Sequence, residues 1–103
     1  MDRGAEPDDS GPVTFLGRPL GPSFRTKIVT IAPGASLPFV EDEWRDALVV
    51  VEIGEIEMEC RDGERQHFRT GAVLWFADLG LRALLNPGAE VAVLVAVWRR
   101  STG

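Results

Sequence analysis

The chain has 103 residues, 45% of them hydrophobic and 26% charged, which is the size and balance of one soluble globular domain. Its 16 acidic residues outweigh 11 basic ones, and the net charge of -5 argues against contacts to nucleic-acid phosphates or to an anionic membrane surface. Cys60 is the only cysteine, so no disulfide and no thiolate metal cluster can form within one chain.

Residues 1–12 hold acids, glycine and proline with almost nothing to bury. They read as a disordered lead without the apolar core of a signal peptide. A reducing cytoplasm is the expected location. Val13 to Leu16 reads as a short edge strand, and 17–22 as turns whose two prolines cannot donate to a ladder. Phe24 to Ala32 is a strand with Phe24, Thr26, Ile28 and Thr30 on one face, closed by Pro33 and Gly34. Leu37 to Val40 is short and apolar, and an acidic segment with Trp44 and Arg45 follows over 41–46.

Leu48 to Cys60 is the clearest stretch. Leu48 to Val51 is branched and apolar on both faces, as a strand covered twice would be. After Gly54, the glutamates 55, 57 and 59 alternate with Ile56, Met58 and Cys60, so one face is wet and the other buried. Asp62-Gly63 is a hairpin signal, and Arg65 to Phe68 returns. Ala72 to Ala77 reads as a buried strand, Leu81 to Leu85 as another, and Asn86 to Gly88 as a turn. Val91 to Trp98 closes the fold, and 99–103 is a polar tail. No stretch of helical period reaches ten residues, and Val91 to Trp98 is far shorter than the ~20 residues of a membrane helix. Short strands between Gly, Pro and Asp-Gly turns predict an all-β sandwich or barrel over 13–98.

The punctuation at Pro33-Gly34, Gly54, Asp62-Gly63, Gly71 and Asn86-Pro87-Gly88 resembles that of the small single-domain cupins, over roughly Phe24 to Trp98. The resemblance implies a cupin-like double-stranded β-helix, a jelly-roll barrel enclosing a cavity. It also implies a homodimer, since a sheet edge and the alternate face of Leu48 and Val50 need cover. The family's first motif places two histidines at Glu41 and Glu43 and a glutamate at Ala47. The histidine of its second motif falls on Arg82. All four metal-ligand types are therefore replaced, and no cofactor is expected. His67 is the only histidine and lies beside Phe68; if Phe68 faces the core, His67 faces out.

The resemblance points Glu41, Glu43 and Arg82 toward the cavity mouth. There, Arg82 either neutralises a glutamate as a structural ion pair or anchors an anionic ligand. The expected cavity lining is Val49, Val51, Met58, Cys60, Trp75 and Leu84. Cys60 reads as core, because no histidine is placed to act as its base. Trp75 and Trp98 read as core or cavity wall. Trp44 is either simple packing or a ligand lid or dimer contact. The Glu55, Glu57 and Glu59 stripe reads as a solvated face rather than a calcium or basic-partner site. Beside a purely structural or regulatory module attached to a partner, which needs no pocket chemistry, two function classes follow. One is a metal-free protein binding a small molecule in the barrel. The other is a metal-independent isomerase, epimerase or cyclase, with Glu41 or Glu43 as base and Arg82 stabilising the anion.

Overall fold

A computed structural model describes residues 21, 23–77 and 79–99. The expected lead, the Val13 to Leu16 strand and the tail beyond Arg99 lie outside these residues. Two four-stranded antiparallel sheets face each other. The first runs β1 (Phe24–Ile31), β8 (Ala92–Arg99), β3 (Leu48–Ile53), β6 (Val73–Trp75). The second runs β2 (Ser36–Pro38), β7 (Leu81–Leu85), β4 (Glu55–Cys60), β5 (Arg65–Arg69). Pro38 is tolerated because β2 is an edge strand. Among the described residues no helix is long and apolar enough to cross a membrane.

The core lies between the sheets and follows the period of two. Ile56 and Met58 of β4 point inward with Leu84 of β7, against Val49, Val51 and Leu94 of the first sheet. Fully burying each aliphatic side chain of this kind contributes about 1.5–3 kcal/mol. Val49, Val50 and Val51 are all 0% exposed, so the first half of the central stretch is covered on both faces. Val50 is thus enclosed within one chain, and its cover does not require a second copy. Phe68 packs partly buried against the core while its neighbour His67 faces out.

Gly54 passes the chain from the first sheet to the second. Its φ of 83° lies in the left-handed region, and an added Cβ would sit 3.0 Å from the Val91 carbonyl oxygen. The Asp62-Gly63 hairpin forms as expected, with the Glu64 amide donating to Asp62 Oδ1 at 2.9 Å. At the far turn, the buried Asn86 side chain donates through Nδ2 to the carbonyls of Ile31 (2.9 Å) and Glu90 (2.7 Å). Its Oδ1 accepts from the Gly88 amide at 2.9 Å.

One expectation is corrected: the Ala72 to Ala77 run is not a buried strand throughout. Only β6 forms there, as an edge strand paired with β3 alone. Leu74 turns inward, while Val73 and Trp75 are 45% and 51% exposed. The acidic segment after β2 is a single helical turn, α1 (Glu41–Trp44). Its three first-turn acids complement the helix N-terminus, and Asp46 ends it with a φ of 62°.

Candidate binding site

Arg82 is turned out of the interior by a register shift. Met58 pairs with Leu84 and Cys60 with Leu81, both inward, while Glu59 pairs with Ala83 on the outer face. Arg82 is the extra residue of the resulting bulge. Counting by twos from Leu84 would send Arg82 inward, but the inserted residue gives that place to Leu81, which is buried. The guanidinium instead lies on the outer wall, with Nη2 2.8 Å from Glu59 Oε2. The expected meeting of Arg82 with Glu41 or Glu43 is thereby corrected: both glutamates sit exposed on α1, and Arg82 pairs elsewhere.

The glutamate stripe of β4 is a solvated face laced with basic side chains. Arg65 Nη1 is 3.5 Å from Glu57 Oε1, and its Nη2 is 3.2 Å from Glu59 Oε2. His67 Nε2 lies 2.5 Å from Glu55 Oε1. The hydrogen bond from Arg82, reinforced by Arg65, holds the Glu59 carboxyl below the usual carboxylate range against the opposing effect of desolvation. A carboxyl with a depressed native pKa stabilises the fold above its unfolded pKa, and that contribution is lost as pH falls through the native value. Arg82→Ala is therefore expected to raise the Glu59 pKa in an NMR titration. Its small deficit in melting temperature, typical of an exposed pair, should be present at neutral pH and vanish in acid. An equal deficit at both extremes would mean that the charge pair is not its source.

The interior end where β2, β4 and β6 finish carries a different set of residues. Phe39 and Trp44 stack at 6.5 Å and 17°. Phe76 stands edge-on to both, at 5.7 Å from Phe39 and 5.4 Å from Trp44. Two clefts open around this cluster. The tighter one, about 50 Å³, is lined by Phe39, Glu41, Trp44, Asp46, Trp75 and Phe76 among others. The roomier one, about 270 Å³, is lined by Phe39, Glu41, Arg61, Phe76, Gly80 and Leu81. They share Phe39, Glu41 and Phe76, so they adjoin across one wall.

Trp44 is only 5% exposed, and its buried indole Nε1 has no hydrogen-bond partner. Trp98 shows the ordinary solution, donating from Nε1 to the Arg45 carbonyl at 2.7 Å with the Arg25 guanidinium over its ring. A buried donor without a protein acceptor is uncommon in folded proteins.

Of the lining expected from the sequence, Val49, Val51, Met58 and Leu84 are packed core, with Cys60 partly buried beside them. None of these five lines either cleft. Burial, with Asp62 and Glu64 nearby, pushes the Cys60 thiol up, which suits an inert side chain rather than a nucleophile. Trp75 does line the tighter cleft, but as an exposed rim and not as buried wall. Phe39, Phe76, Asp46 and Arg61 are cleft residues that the sequence did not single out. Their one signal is position, since Phe39, Phe76 and Arg61 stand immediately after strand ends.

The residues at the family's metal positions do not fit a metal ion. Ala47 offers no donor atom and is 1% exposed, and Arg82 is a cation directed to the outer wall. Among the described residues no three His, Cys, Asp or Glu side chains gather to hold one.

No family model and no curated protein sequence matches the chain. Solved structures do. A Cupin 2 conserved barrel domain protein from Salinispora arenicola superposes with a TM-score of 0.59 at 22% identity, covering 88% of this chain and 74% of its own. The Cupin_2 domain of an XRE family transcriptional regulator from Enterobacter cloacae gives 0.58 at 25% identity, covering 82% and 94%. With two antiparallel sheets joined in this order around one core, the chain is an all-β protein with the barrel fold of the small cupins.

Proposed function

We propose that this chain is a small-molecule-binding cupin domain that works without a metal ion, its ligand seated at the aromatic end of the barrel. The observation that carries the reading is the cleft at this end, walled by the rings of Phe39, Trp44, Trp75 and Phe76 with Glu41 and Asp46 on the same lining. Ligand sites combine apolar and aromatic walls with a few polar groups that fix orientation, and this end offers that mixture. The isomerase, epimerase or cyclase reading needs a base and an anion stabiliser acting on one substrate. Glu41 lines both clefts, but Arg82 faces away from them, so binding is the reading retained.

The test is a small-molecule screen followed by NMR. The chain has three tryptophans and therefore three indole N–H signals. A ligand at this end should raise the melting temperature and move the Trp44 signal, while leaving that of Trp98, already bonded to Arg45, in place. Hits that move the Trp98 signal alone, or a screen with no hits, would sink the proposal.

A further inference from the structure

Resting on that site, we infer that its ligand carries a small quaternary ammonium group, seated in the tighter cleft. Phe39, Trp44, Trp75 and Phe76 all line this cleft. The planes of Phe39 and Trp44 lie 17° apart, while that of Phe76 is turned 85° from the first and 68° from the second, so the walls do not share one plane. Aromatic rings attract a cation through the negative potential of their faces, and more strongly where water is kept away. The chain makes one such contact elsewhere, with the Arg25 guanidinium 4.2 Å over the Trp98 ring.

The charge on the lining also favours a cation. Glu41 and Asp46 both line the cleft, and neither makes an ion pair among the described residues. Arg45, the one basic residue of the lining, is held by Asp42 at 2.5 Å. The cleft therefore keeps a negative charge that its own residues do not offset.

The kind of cation follows from what the walls lack. A divalent metal ion takes about six or more oxygen ligands, and two carboxylates fall short of that. A primary ammonium brings three N–H donors that each need an acceptor, which a wall of rings does not supply. A quaternary ammonium has no N–H to satisfy and presents methyl groups to the rings, with the carboxylates balancing its charge. The space of about 50 Å³ restricts it to a compact head group.

Calorimetric titration of the whole chain tests this with three probes: choline, its uncharged carbon isostere dimethylbutanol, and methylammonium. Choline is expected to bind about tenfold or more tightly than either of the others. Asp46→Asn removes a charge and keeps a residue that tolerates the left-handed φ of 62° at this position. It should weaken choline about threefold and leave the alcohol unchanged. Trp75→Leu, at an exposed rim position, removes a ring but keeps an apolar side chain, and should weaken choline more than the alcohol. The alcohol or methylammonium binding as tightly as choline overturns the inference, as does choline binding that neither variant weakens. If none of the three binds while other screened compounds still move the Trp44 signal, the quaternary ammonium is wrong and the binding site stands. If nothing moves that signal, both fall.

Discussion

Replacing Asn86 with alanine is expected to lower the free energy of unfolding by about 3–5 kcal/mol, measured by denaturant titration. The side chain is 1% exposed and uses each polar atom. Both bonds from Nδ2 end on backbone carbonyls, and Oδ1 takes a backbone amide. Truncation removes all three bonds at once. The Ile31 carbonyl is the most costly, because its bond lies buried inside the sandwich. Asn86→Asp makes a sharper case. It keeps the acceptor for Gly88 but points a carboxylate oxygen at two carbonyls, which raises its native pKa. The native state then binds more protons than the unfolded one, so this variant should regain stability as pH falls, unlike the alanine variant. A loss below about 1 kcal/mol in Asn86→Ala would show that water replaces the amide.

Gly54→Ala should cost about 2–4 kcal/mol. Two effects add there. The φ of 83° places any L side chain in the left-handed region, and the new Cβ meets backbone on two sides, the Val91 carbonyl oxygen at 3.0 Å and the Ala92 Cα at 3.1 Å. Neither neighbour can rotate away as a side chain would. Gly63→Ala is the control, since its φ of 92° is equally unfavourable but nothing lies within 4 Å of its Cβ. The difference between the two variants in denaturant midpoint isolates the crowding. Equal losses would mean that the β3 to β4 passage yields without resistance.

The parts of the fold that were readable from the sequence are those carried by local rules. Glu55 to Cys60 alternates strictly in sequence, and the burial of β4 follows it through Met58, with Cys60 only partly buried. Gly54, Asp62-Gly63 and Asn86-Pro87-Gly88 mark turns for reasons of backbone conformation, and each turn is present. The candidate site was harder because it depends on phase. One inserted residue in β7 exchanges Leu81 and Arg82 between the two faces, and neither residue type announces the insertion. α1 spans 4 residues, too short for helical periodicity to register. That turn buries Trp44 against Phe39 and Phe76, partners that belong to other segments of the chain. The unsatisfied indole N–H is a property of the assembled packing alone.

The position of β8 has a consequence for how the molecule reaches its native state. This strand, last in chain order, lies between β1 and β3 and pairs with both. During synthesis, β1 and β3 therefore wait for residues 92–99 to emerge before either gains its central neighbour. Most pairings span a long separation in the sequence, which makes for slow folding and a nascent chain with unpaired strand edges. The hairpin of β4 and β5, closed by a short local turn, is a pairing that can form before β8 emerges.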